Sequence, residues 1–199
     1  DIQVLDSGIS FAIVYEGKTY KAKANVLGRH QVSNLLAALG AAEAAGMTME
    51  DAVSALRNIV PFEKTLVKEN GINGSTFIND TFNNNPDAAI AALDVLEDMK
   101  GKKKYFVFQP MIELGKFSDS AHERVGAAAA EVCDAIFLTN ENFSKAFIKG
   151  VHSVNKDLVV SILSKKEIAE KLKNIIKKDD VVLFKGKESE APLKLLSSS

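Results

Sequence analysis

With 199 residues and 46% apolar content, the chain has material for one α/β domain, or for one domain plus part of another, around a buried core. A formal charge of -1 with no basic block leaves no electrostatic footprint for nucleic acid or an anionic membrane surface. A lone cysteine, Cys133, excludes an internal disulfide, and no apolar run reaches spanning length, so a reducing, cytoplasmic setting and no membrane span are expected.

The first residue is Asp1 rather than methionine and Ile2 to Leu5 already reads as a strand, so the chain reads as a segment of a larger protein. Ile9 to Tyr15 and Lys18 to Ala24 alternate around Glu16-Gly17, the pattern of a β-hairpin. Gly28 to Asn34 then leads into Leu35, Leu36, Leu39 and a run of alanines closed by Gly46, which predicts a buried helix with polar groups gathered at its start. Thr48 and Asp51 are spaced as a helix cap for a short helix with Ala52, Val53, Leu56 and Ile59 on its inner face. Pro61 ends it, and a domain boundary is expected there, dividing residues 1–60 from 61–199.

Beyond the boundary, strands at Thr65 to Glu69 and Thr76 to Asn79 flank the turn-forming Asn70 to Gly74. Helix and strand then alternate. Helices are predicted over Pro86 to Met99, Ala121 to Cys133, Phe143 to Gly150 and Lys165 to Ile176, with a last one after Glu188. Strands fall at Tyr105 to Phe108, Ala135 to Leu138, Leu158 to Ile162 and Val181 to Phe184. They are short, continuous apolar runs, as expected when helices cover both faces of a sheet. With right-handed crossovers, the fold class is α/β, a Rossmann-like, mainly parallel sheet with helices on both faces. Ser120-x-x-Glu123 and Ser164-x-x-Glu167 read as capping boxes, Cys133 as a small core residue, the lysines of the Lys165 to Lys178 helix as a solvated face, and Ser197-Ser198-Ser199 as a ragged or engineered end.

The chemically informative stretch is Phe77 to Asp87. An apolar strand stops at Asp80, a loop of small polar side chains follows, and Asn85 is placed to cap a helix that begins at Pro86. Such a strand-loop-helix junction offers donors and acceptors beside a partly positive helix start, a usual place for an anionic or ribose-bearing ligand. It is equally a plain capped connection. Three dispersed histidines, His30, His122 and His152, support neither a catalytic triad nor a zinc site. No Gly-x-x-x-x-Gly-Lys-Ser/Thr and no Gly-x-Gly-x-x-Gly loop occurs.

Four stretches together carry a family resemblance. Gly28-Arg29-His30-Gln31-Val32-Ser33-Asn34-Leu35-Leu36-Ala37-Ala38 is similar to the Gly-x-His-Asn-x-x-Asn-x-x-Ala-Ala motif ending the central ATPase domain of the Mur ligases, the ATP-dependent amide-bond ligases of peptidoglycan precursor synthesis. Ile78 to Asp87 resembles the Asp-Asp-Ser-Tyr-Asn-Ala-Asn-Pro segment that opens the C-terminal domain in one branch, the one that adds D-alanyl-D-alanine to UDP-N-acetylmuramoyl-tripeptide. Met111-Ile112-Glu113-Leu114-Gly115 with His122, and Val182-Leu183-Phe184-Lys185-Gly186, resemble that branch's Met-x-Glu-Leu-Gly…His and Val-Lys-Gly-Ser patterns.

The resemblance implies that residues 1–60 are the end of a central ATP-binding domain and 61–199 a C-terminal Rossmann-like domain of a longer, monomeric enzyme. That enzyme would phosphorylate a carboxylate with ATP and Mg2+ and let an amino acid or dipeptide attack the acyl phosphate. Asn34 matches the adenine-contacting asparagine, Gln31 replaces a second asparagine, and Asp80 matches the ribose-binding carboxylate. Lys64 stands near a phosphate-contacting arginine and is the catalytic candidate, offering a point charge in place of a planar fork. Asn83 and Asn85 match two motif asparagines, the latter also readable as a helix cap; Glu113, His122 and Lys185 fall where the amino nucleophile is expected, and His122 is equally readable as structural. No metal ligand is assigned to this chain. The family's Gly-Asp is Gln109-Pro110 here and its serine after Lys-Gly is Lys187, so a degenerate, non-catalytic nucleotide- or protein-binding module stands as the alternative. A folylpolyglutamate synthase relative shares the fold, but Asn83 to Pro86 and Glu113-Leu114-Gly115 favour the peptidoglycan branch.

Overall fold

The computed structural model describes residues 1–5 and 7–197. They form two compact units, Asp1–Phe62 and Glu63–Ser199. Ser198 and Ser199 lie outside the described residues, whereas Ser197 closes the last helix, with its hydroxyl donating to the Leu193 carbonyl at 3.1 Å.

The first unit is a three-stranded antiparallel sheet, β1 (Ile2–Leu5), β2 (Gly8–Tyr15) and β3 (Lys18–Ala24), with the hairpin turning between Tyr15 and its partner Lys18. Two helices, α1 (Gln31–Ala44) and α2 (Met49–Ala55), follow. Inward side chains Ile9, Phe11, Ala22 and Ala24 meet Leu35, Leu39, Met49, Ala52, Val53 and Leu56 in one core. The Thr48 hydroxyl accepts from the Asp51 amide, so the predicted cap is in place. The expectation of a buried α1 needs correction. Only Leu35 and Leu39 are buried, because a helix laid on a small sheet covers one stripe, and Leu36 remains 44% exposed.

The second unit is a doubly wound sheet of β4 (Val67–Asn70), β5 (Thr76–Asp80), β6 (Lys104–Phe108), β7 (Ala135–Leu138), β8 (Val160–Ile162) and β9 (Val181–Lys185). The spatial order is β4-β5-β9-β6-β7-β8, and only the edge strand β4 runs antiparallel. The helices are α3 (Pro86–Asp98), α4 (Ser118–Val132), α5 (Ser144–Val154), α6 (Lys165–Ile175) and α7 (Glu190–Ser197). Strand periodicity divides the core between two faces. Phe77, Tyr105, Val107, Val182 and Phe184 pack with Ile168, Leu172, Leu193 and Leu196 of α6 and α7. Their neighbours Ile78, Phe106, Phe108 and Leu183 are fully buried on the other face, where Phe108 stacks on Phe147 of α5 at 5.3 Å. α4 and α5 cross in backbone contact: a Cβ on Gly126 would lie 2.2 Å from the Phe147 carbonyl oxygen, and one on Gly150 would lie 2.0 Å from that of Glu123.

Ser164 and Glu167 make the predicted capping box at α6. Ser120 does not cap. A 3-10 turn over Gly115–Phe117 runs straight into α4, leaving Ser120 inside the first turn with its hydroxyl on the Phe117 carbonyl. Cys133 is buried at the end of α4, and burial pushes its thiol pKa up, away from nucleophilic use. Among the described residues, no helix is long and apolar enough to cross a membrane.

Candidate functional site

In the second unit the expected residues gather at the carboxyl ends of the parallel strands, where ligands bind in open α/β sheets. β5 and β9 are in register with Asp80 opposite Lys185. Both side chains therefore leave the sheet on the same side, and their ends meet: Lys185 Nζ donates to Asp80 Oδ2 at 2.6 Å. Asp80 is 4% exposed and Lys185 2%. The other carboxylate oxygen, Oδ1, accepts from the Leu66 amide at 3.3 Å, and the Asp80 carbonyl accepts from the Gly186 amide at 3.2 Å. Two residues expected to face separate ligands thus hold each other, and Asp80 also holds the segment entering the unit.

Lys64 and Leu66 in that segment both have positive φ, 58° and 50°. The Lys64 carbonyl accepts from the Phe82 amide at 3.0 Å, and its ammonium lies 3.2 Å from a Glu190 carboxylate oxygen. Lys194, at 2.6 Å, and then Lys64 hold the Glu190 carboxyl below the ordinary carboxylate range. The catalytic candidate is therefore a partly exposed, acid-paired ammonium beside the junction loop.

The junction itself forms as predicted. Asn85 Oδ1 accepts from the Ala88 amide at 2.8 Å and Pro86 is the first helical residue, so Asn85 is a cap. Asn83 is exposed and its oxygen accepts from the next amide, that of Asn84, at 2.8 Å. Sequence reasoning passed over Asn84. Its amide nitrogen donates to the Gln109 carbonyl at 2.7 Å, while its Oδ1 is buried with no hydrogen-bond partner among the described residues.

Glu188 was missed as well. One of its oxygens accepts from the Thr139 hydroxyl at 2.8 Å and from the Asn140 amide at 3.0 Å, and its own backbone N–H donates to Gln109 Oε1 at 2.9 Å. The signal was available in principle, since Gln109, Thr139 and Glu188 each follow a strand end by one to three residues. Gly186 has φ 90°, and a Cβ there would lie 2.8 Å from that of Gln109, so glycine is required for the turn.

His122 is fully buried, with Nδ1 2.6 Å from the Ser118 carbonyl and Nε2 accepting from the Met111 amide at 2.9 Å. Readable from sequence either as a neighbour of the amino nucleophile or as structural, the ring has both nitrogens on backbone. Burial lowers its pKa, against the smaller opposing pull of the Ser118 carbonyl and Asp119. Glu113 is exposed on the loop that follows β6, with φ 65°. In the first unit, Gln31 and Asn34 lie in the first turn of α1 and bond to each other, Asn34 Nδ2 to Gln31 Oε1 at 2.9 Å, with the Asn34 amide exposed. A depression of about 750 Å³ beside the starts of α4 and α5, edged by Asp119, Glu123, Glu141 and Lys149, contains none of the expected residues. Among the described residues, no group of three or more His, Cys, Asp or Glu side chains could hold a metal ion.

This arrangement can be set beside known proteins. The family model described as "Mur ligase, glutamate ligase domain" matches residues 62–188, well over half of the chain. The chain belongs to the Mur ligase family. Among its relatives, the UDP-N-acetylmuramoyl-tripeptide–D-alanyl-D-alanine ligase of Bacillus subtilis (strain 168) is 28% identical over 190 residues, 94% of this chain and 41% of that protein. The same-named ligase of Treponema pallidum (strain Nichols) is 27% identical over 192 residues, 95% of this chain and again 41% of that protein. A crystal structure of MurF from Acinetobacter baumannii superimposes on the whole chain with a TM-score of 0.87 at 26% identity, covering 44% of that Mur ligase. MurF from Thermotoga maritima, solved in complex with ADP, shares the fold with a TM-score of 0.84 at 22% identity. This Mur ligase chain thus spans about two fifths of the length of the curated relatives it matches.

Proposed function

We infer that this chain is the C-terminal part of a cytoplasmic, monomeric ATP-dependent ligase of peptidoglycan precursor synthesis, one that joins D-alanyl-D-alanine to UDP-N-acetylmuramoyl-tripeptide. The observation that carries the reading is the conjunction of relatives of that name along 94% of the chain with a strand-end cluster built from the motif residues Asp80, Asn83, Asn85 and Lys185. Residues 1–60 are read as the end of the central ATP-binding domain and 61–199 as the C-terminal domain.

The chemistry is activation of the tripeptide carboxylate by ATP, attack of the dipeptide amine on the acyl phosphate, and release of phosphate. Mg2+ would assist phosphoryl transfer, held mainly by the rest of the longer enzyme. Its own residues bind and orient. In the first unit, the exposed Asn34 amide, bonded to Gln31, would offer a purine edge both a donor and an acceptor. In the second, Asp80 is the acceptor for ribose hydroxyls. Lys185 and the Leu66 amide hold that carboxylate in place, so a ribose would meet a pre-oriented group. Lys64 faces the transferred phosphoryl, its charge tempered by Glu190. Glu113 faces the amine of the nucleophile.

The test is mass spectrometry of the products made by the full-length gene product from UDP-N-acetylmuramoyl-tripeptide, ATP-Mg and a panel of amino nucleophiles. A new amide only with D-alanyl-D-alanine supports the reading. No amide with any nucleophile, from a folded protein that still binds nucleotide, would favour the degenerate module.

A further inference from the structure

We propose that His122 is a positioning residue whose imidazole ties together the two ends of the Met111–Ser118 loop and thereby fixes the exposed tip, with Glu113, that meets the amino substrate. The part concerning substrate rests on the ligase reading above; the tie itself does not.

The proton pattern follows from the contacts. The Met111 N–H donates to Nε2, so that nitrogen carries a lone pair; Nδ1 must then carry the proton and donate it to the Ser118 carbonyl. One neutral tautomer closes the loop at both ends. An imidazolium has a donor at each nitrogen and would set N–H against the Met111 N–H. The ring is also clamped by packing, stacked on Phe143 at 4.7 Å and set edge-on to Phe108 at 6.4 Å. Met111 anchors the same end of the loop through a side chain only 1% exposed.

Between these fixed ends the tip is presented to solvent. Ile112 is 59% and Phe117 63% exposed, with Glu113 and Lys116 between them. Glu113 and Gly115 have positive φ, 65° and 54°, and Leu114 O accepts from the Phe117 amide, so the tip has a defined turn. Two large apolar side chains around a carboxylate, held on a closed loop at the carboxyl end of β6, suit a small ligand with an ammonium and methyl groups. His122 does not touch that ligand. It keeps the carboxylate where the ligand can be met, and misplacement by about 1 Å at such a site can cost about 100-fold.

Two measurements test this. In the 199-residue chain, ¹⁵N NMR of the His122 ring should show a neutral, Nδ1-protonated imidazole at neutral pH and slow exchange of the Met111 amide. In the full-length gene product, His122→Phe should raise KM for the amino substrate about tenfold or more while kcat and KM for ATP stay near wild type. His122→Gln, whose amide oxygen can still accept from Met111, should recover most of that loss, and His122→Asn, which keeps only the Ser118 side, should recover less. A ring protonated on Nε2, or on both nitrogens, would overturn the tie. Equal changes in all kinetic constants, or no rescue by Gln, would overturn the positioning role. If His122→Phe fails to fold, the order of the Gln and Asn variants decides. Absence of amide formation by the wild-type protein would overturn the functional reading and the substrate clause with it, and the NMR result would still judge the tie.

Discussion

Asp80 and Lys185 are 105 residues apart in sequence and opposite one another in the β5–β9 register. Their pairing is a consequence of sheet alignment, since a slip of one residue would send one side chain to the far face. Removing one partner of a buried ion pair leaves an uncompensated charge, which costs about 3–5 kcal/mol. Lys185→Met should therefore lower unfolding free energy by about that amount in urea titration, and adding Asp80→Asn should recover part of the loss. A cost for Lys185→Met below about 1 kcal/mol would contradict the pairing.

His122 gives a pH signature at the same scale. Its folded-state pKa lies below the ordinary 6.5 because burial disfavours the imidazolium. The unfolded chain then binds the proton more readily, so the stability contributed by the neutral ring is complete above about 6.5 and is lost as pH falls toward the lowered value. Asp119 opposes the shift from α4, while Phe108 and Phe143 bring no charge to the ring. Denaturation midpoints should fall between pH 6.5 and the folded pKa in wild type and fall less in His122→Gln. Equal slopes would contradict this.

At the scale of elements, the sequence pattern was most legible where one local rule dominated. Continuous apolar runs marked the parallel strands, Asn85-Pro86 marked the start of α3, and Ser164 with Glu167 marked that of α6. The start of α4 was misplaced because the Ser-x-x-Glu spacing at Ser120 describes a cap only if the backbone is extended there, and the preceding 3-10 turn makes it helical. Ser164→Ala should accordingly cost about 1 kcal/mol in thermal unfolding, and Ser120→Ala much less. The opposite order would restore the sequence-based assignment. α1 was misjudged because an alanine-rich pattern looks apolar all round, whereas only Leu35 and Leu39 are buried and Val32 and Ala42 pack on the core while remaining partly exposed. Gly126 and Gly150 carried no readable signal. Their role is the close α4–α5 crossing, and Gly150→Ala should destabilise by about 1–3 kcal/mol because its methyl would meet the Glu123 backbone.

For the molecule as a whole, four ordered motifs made the family legible, and the strand-loop-helix junction located the end of the sheet where Asp80 and Lys185 meet. The roles of individual residues were less readable. Motif matching names side chains that gather at a site, but whether they face a ligand or one another depends on register and on backbone partners distant in sequence. Lys185 is held by Asp80 and His122 by the Met111 and Ser118 backbone, and Asn84, Thr139 and Glu188 were missed because their polar partners come from other strand ends. The chain alone is expected to bind ATP at millimolar Kd or weaker, since a few hydrogen bonds of about 0.5–1.5 kcal/mol each barely offset the cost of association. Calorimetry giving a micromolar Kd would contradict that.

The most direct test of the functional account is the rate of phosphate release from ATP by the full-length gene product supplied with UDP-N-acetylmuramoyl-tripeptide, measured with and without D-alanyl-D-alanine. Release that depends on the dipeptide and is lost in Asp80→Ala is the expected result. Release that ignores the dipeptide, or no release from a folded protein, would contradict it.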